Sequence, residues 1–145
     1  MKRKAGIRKP NKTRAIRSKK NKIMEHKAKS IRAFIGAKNF EISRSFYRDL
    51  GFTENIISQN MSYFETNNMG FYLQDAYVED WINNTMVFME VDDVNRFWKE
   101  LIRLELTSKY DAVKLVPVRE LDWGKECFVH DPSGVLWHFG EFKIT

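Results

Sequence analysis

"DWGKECFVHDPSGVLWHFGEF", residues 122–142, reads as two apolar strands joined by the tight turn Asp131-Pro132-Ser133-Gly134. The second strand carries His138 between Trp137 and Phe139. Three readings are open for that imidazole: a metal ligand, a wall of a binding cleft, or a hydrogen-bonded core residue. Working upstream, "VKLVPVREL" reads as another strand, and Pro117 inside it places that strand at a sheet edge or a bulge. Before it, "TMVFMEV" (85–91) is a strand, Asp92-Asp93 offers a helix cap, and Val94, Phe97, Trp98, Leu101 and Ile102 recur at helical spacing. The order is one strand, one helix, three strands.

The same order occurs earlier in the chain. "SIRAFIGA" (30–37) alternates as a strand, with Arg32, Phe34 and Gly36 on one face and Ala33, Ile35 and Ala37 on the other. Asn39 is placed to cap a helix carrying Ile42, Phe46, Tyr47 and Leu50, and Gly51 ends it. "FTENIIS", "MSYFET" and "GFYLQDA" follow as strands, separated by the turn-favouring pairs Gln59-Asn60 and Asn67-Asn68. The polar "YVEDWINN" (77–84) reads as a linker. Each half is too small to bury its own sheet face. The expected architecture is therefore α+β: two βαβββ modules, about 30–76 and 85–142, whose curved mixed sheets surround a cleft, within one chain or between chains.

A chain of 145 residues suits one domain with a sizeable core or two small packed modules, and 43% apolar with 14% aromatic content argues for a globular fold. No apolar run approaches the roughly 18 residues that span a bilayer, and the N-terminus lacks the apolar stretch of a secretory signal. Cys127 is the single cysteine. It can form no intrachain disulfide, which points to a reducing cytoplasm, and its apolar strand suggests a buried, inert thiol. Residues 1–30 hold 13 Lys/Arg against Glu25 alone, a net +12, whereas residues 31–145 hold 12 against 18 Asp/Glu, a net −6. The basic character belongs to a leader, residues 1–29, too polar and too charged to bury a core. Three readings stand for it: an arm that contacts nucleic acid or another anionic surface through its charge, a disordered tail, or an artefact of start-site choice, since Met24 opens a shorter chain. No glycine-rich phosphate loop or nucleophile elbow occurs, so no catalytic residue and no cofactor is assigned.

Three stretches resemble one family. "FEISRSFYRDLGF" (40–52), "VFMEVDDVNRFWKEL" and "DPSGVLWHFGE" are similar, in order and spacing, to signatures of the vicinal oxygen chelate superfamily, the glyoxalase, bleomycin-resistance and extradiol-dioxygenase fold. The resemblance covers about residues 31–142 and implies paired βαβββ modules in a homodimer that exchanges them. Enzymes of that superfamily hold a divalent metal with His or Glu. At the matching positions this chain has Arg32, Gln74, Met86 and His138. Arg32 is a permanent cation and Met86 a soft thioether, so no metal site is expected.

The bleomycin-resistance proteins are the closer likeness, through Trp123-Gly124, Asp131-Pro132, Gly134, His138-Phe139 and Glu141. That resemblance implies a binding protein that sequesters a flat, cationic small molecule or antibiotic against aromatic faces under negative potential. The runner-up is a superfamily enzyme, lyase- or dioxygenase-like, with a non-standard metal site. The implied ligand-binding residues are Trp123, which matches the family's stacking tryptophan, with His138, Arg32, Met61, Met86, Phe34 and Phe88. Met61 and Met86 stand equally open to a core role. Ile56 and Met61 occupy places where the resistance proteins carry stacking phenylalanines, and Trp98 and Trp137 are expected in the core.

Overall fold

A computed structural model describes residues 21–145. Expectations for residues 1–20 of the leader lie outside the described residues. Residues 21–33 carry no helix or strand and are exposed.

The first module runs β1 (Phe34–Gly36), α1 (Phe40–Asp49), β2 (Thr53–Ser58), β3 (Met61–Thr66) and β4 (Met69–Gln74). After α2 (Glu79–Asn83), the second runs β5 (Met86–Glu90), α3 (Val94–Arg103), α4 (Leu106–Lys109), β6 (Lys114–Leu121), β7 (Gly124–His130) and β8 (Leu136–Phe142). Each module forms one four-stranded mixed sheet, ordered β1-β4-β3-β2 and β5-β8-β7-β6. The first strand of each pairs in parallel with the last, and the other pairings are antiparallel. The expected pair of βαβββ units is present.

Local chemistry explains most boundaries. Asn39 Oδ1 accepts a hydrogen bond from the Ile42 N–H at 3.1 Å, and Asp93 Oδ1 one from the Arg96 N–H at 2.9 Å, so each long helix starts on a side-chain cap. Gly51 leaves α1 at φ +101°, a conformation that costs a side chain-bearing residue about 1 kcal/mol or more. Pro117 sits on the edge strand β6, where the β6–β7 register shifts between Val116 and Arg119.

The core is continuous across the modules. Ile35, Phe46, Tyr47, Phe64, Phe71 and Leu73 of the first meet Val129, Trp137 and Phe139 of the second. Trp137 lies at its centre, with ring centroids 5.3 Å from Phe71 and 5.7 Å from Phe52. Burying each such side chain stabilises the fold by about 1.5–3 kcal/mol.

Four expectations need correction. The first strand is ladder-paired only over Phe34–Gly36, so Arg32 precedes it, although the Tyr72 N–H of β4 also donates to the Ala33 carbonyl at 2.9 Å. Residues 77–84 are not a plain linker, because α2 forms there, with Glu79 and Asp80 in its first turn and Ile82 plugged into the core. Ile42 and Ile102 are exposed despite their helical spacing. On α1 the buried place belongs to Ser43, whose hydroxyl lies 3.3 Å from that of Ser133. Trp98 packs at the margin of the core rather than within it.

Candidate functional site

Strand alternation gives each sheet a second face, turned away from the shared core. In the first module the register aligns Phe34, Tyr72 and Tyr63 across β1, β4 and β3, with Met61 paired to Gln74 two residues along. Phe34 stacks on Tyr72 at 4.9 Å and 23°. Arg32 Nη1 donates to Tyr72 Oη at 3.0 Å, and its guanidinium carbon stands 4.1 Å from the Tyr63 ring centre. Gly70 makes room for this arrangement, since a Cβ there would meet the Tyr63 ring edge at 2.6 Å.

On the second sheet, Phe88, His138 and Phe128 form one row across β5, β8 and β7, with Met86 at one end of β5. Glu90, Gly140 and Glu126 form the next row. Trp123 sits in the turn between β6 and β7, 37% exposed. Its ring centroid is 5.9 Å from Phe88 and 5.3 Å from Phe142. Gly140 lies beneath the two rings: a Cβ there would meet Phe88 at 2.5 Å and Trp123 at 3.2 Å. The aromatic cluster therefore depends on a bare backbone at residue 140.

A polar line runs beside the rings. Glu126 is 4% exposed, and its Oε1 accepts from Arg119 Nη2 at 2.8 Å while its Oε2 lies 3.2 Å from His138 Nδ1. Arg119 also covers the Phe128 ring at 4.6 Å. A carboxylate buried among aromatic side chains needs such partners, because an unpaired one costs several kcal/mol. Glu90 projects from β5 next to Phe88, exposed and without an ion-pair or hydrogen-bond partner among the described residues. Cys127 points into the core, where burial pushes its thiol up to about 11 and leaves it unreactive.

Within one chain the seven sequence-expected residues fall into two groups. Arg32, Phe34 and Met61 belong to the first sheet's outer face, and Met86, Phe88, Trp123 and His138 to the second's. Every aromatic and cation–π contact made by the two groups stays on its own sheet's outer face. A groove of about 430 Å³ between the modules takes in Phe88 alone of the seven. A larger one, about 720 Å³ and lined by Lys38, Ile42 and Tyr110, takes in none. Sequence reasoning missed Glu126, Arg119, Tyr63 and Tyr72. The one available signal was Glu126 itself, an acid on the same strand face as Phe128 in "KECFVH".

The positions that would carry metal ligands do not fit a divalent ion. The Arg32 guanidinium is committed to Tyr72 and Tyr63, and Met86 offers a thioether on the other sheet. His138 has one nitrogen on Glu126. Among the described residues, no group of three or more His, Cys, Asp or Glu side chains is arranged to hold a metal.

The fold is that shared by bleomycin-binding and glyoxalase-family proteins. A bleomycin-binding protein from bleomycin-producing Streptomyces verticillus, solved with copper(II)-bleomycin, aligns with a TM-score of 0.66 at 20% identity, over 80% of this chain and 99% of that one. A bleomycin resistance determinant encoded on the transposon Tn5 aligns at 0.67 and 14%, over 81% and 100%. A lactoylglutathione lyase from Agrobacterium tumefaciens aligns at 0.61 and 16%, over 80% and 96%. No protein-family model matches the sequence, and no curated protein matches it. At these identities the likeness is one of fold.

Proposed function

We propose that the protein is a non-enzymatic binding protein that sequesters a flat, cationic small molecule, an antibiotic being the natural class. The observation that carries this reading is the partly open ring cluster of Trp123, Phe88 and Phe142 over Gly140, with the free Glu90 carboxylate beside it. Aromatic faces attract a flat cation through dispersion and ring quadrupole, and Glu90 adds charge. The solved bleomycin-binding neighbours support the same reading. The cleft is completed by a second copy, whose first-module face of Arg32, Phe34, Met61, Tyr63 and Tyr72 closes over the second-module face. Both faces otherwise leave large apolar side chains in water, with Phe34 58% and Met86 66% exposed.

Fluorescence titration with bleomycin and with flat cationic dyes tests the proposal. Stacking on one aromatic side chain contributes on the order of 1–3 kcal/mol, so Trp123→Ala weakens binding by roughly 5- to 150-fold. Its effect on stability is small. Trp137→Ala is the contrast: it empties the core and costs about 3–5 kcal/mol. A blank screen, or unchanged affinity in Trp123→Ala, defeats the assignment.

A further inference from the structure

Taking the second-module face as a binding surface, we propose that His138 is its specificity-determining residue: Nε2 accepts a hydrogen bond from an N–H or O–H donor on the ligand, and Glu126 holds the imidazole in the tautomer that allows it. The proposal rests on the binding reading above and narrows the ligand to a flat ring system bearing a donor near its plane.

The geometry supports each step. Glu126 is nearly fully buried and faces the Arg119 guanidinium at 2.8 Å. A carboxylate so placed has no proton to give, so at the 3.2 Å contact Nδ1 donates and Oε2 accepts. In a neutral imidazole whose Nδ1 carries the proton, Nε2 is a bare acceptor. Nε2 makes no hydrogen bond among the described residues. No buried side-chain nitrogen or oxygen of those residues lacks a partner, which places Nε2 in contact with solvent. His138 shares its face with Phe88 and Phe128, at ring centroid distances of 6.5 and 4.7 Å. The result is one directed acceptor set among rings. A flat molecule without a donor covers that acceptor and strips its water without replacing the bond, which is the costly arrangement.

The test compares 2-naphthol with 2-methoxynaphthalene on the full chain by equilibrium dialysis. The two share a ring system, and only the first donates an O–H. The expected preference for 2-naphthol is on the order of tenfold, from the penalty for an unpaired buried acceptor. His138→Phe keeps a ring and should bring the two affinities together. In Glu126→Gln the amide can donate to Nδ1, so Nε2 takes the proton and the preference falls or reverses. Long-range ¹H–¹⁵N spectra of His138 read the tautomer directly, and the Nδ1–H form is expected in the wild type, shifting in Glu126→Gln. Equal affinities in the wild type, or an Nε2–H tautomer, overturn this proposal and leave the binding reading standing. If neither probe binds while the cationic dyes do, this proposal falls and the binding reading stands; if the dyes fail as well, both fall.

Discussion

The Tyr47 hydroxyl accepts from Trp137 Nε1 at 3.0 Å and donates to Asp131 Oδ2 at 2.6 Å, all three groups being buried. It thereby ties α1 of the first module to the β7–β8 turn of the second. Burial pushes the Tyr47 phenol well above its usual range, and the adjacent Asp131 charge adds to that. Burial also raises Asp131, against the opposing bonds from Tyr47 and from the amides of Val135, Ser133 and Gly134. Tyr47→Phe strands the indole N–H and removes one donor from the carboxylate. It should lower stability by about 2–3 kcal/mol, read from the denaturant midpoint. A loss under about 0.5 kcal/mol would mean that water replaces the hydroxyl. None of this was legible in the sequence, although Trp137 was expected in the core. Tyr47 and Asp131 are 84 positions apart, and nothing local in "SFYRDL" announces a partner.

Elements were read more reliably, because their determinants are local. The caps at Asn39 and Asp93, the stop at Gly51 and the edge position of Pro117 follow from backbone stereochemistry alone. The β3–β4 turn is a further case. Asn67 and Asn68 take φ of +47° and +63° between the paired Thr66 and Met69, the backbone of a two-residue turn with both central residues left-handed. Glycine suits the second position best, so Asn68→Gly should raise stability by about 0.5 kcal/mol and Asn68→Val should lower it by roughly 1–2 kcal/mol, by urea denaturation. Equal midpoints for the two variants would show that this turn does not contribute to stability. Sequence reading missed two short helices, α4 and α2, and α2 is polar apart from Trp81 and Ile82. It forms because Ile82 finds a site in the core, a tertiary cause with no periodic signature.

At the scale of the molecule, two open sheet faces and a charged leader remain to be accounted for. If a second copy covers the faces, sedimentation velocity at micromolar concentration should give twice the chain mass, and the melting temperature should rise with protein concentration. A monomer with concentration-independent melting would leave each face as a separate half-site. The leader calls for the opposite outcome. Residues 21–30 are exposed and lack regular structure, so a chain lacking residues 1–23 should melt within about 1–2 °C of the full one and bind small molecules equally. Any nucleic-acid binding by the full chain should fall steeply with salt, since +12 in 30 residues binds by releasing counterions. Unfolding of the shortened chain would make the leader structural.

The sequence by itself determined the doubled order of strands and helices, most of their boundaries, the inert buried Cys127 and the central Trp137. Each follows from periodicity, capping or turn chemistry acting over a few residues. Only the tertiary structure decided what stands next to what. It separated Arg32, Phe34 and Met61 from Trp123, His138, Phe88 and Met86. It also set Glu126 between Arg119 and His138, and placed Gly140 under two rings. The physical reason is that alternation assigns a side chain to a face, whereas neighbours across that face are chosen by strand register and by the way two modules share one core.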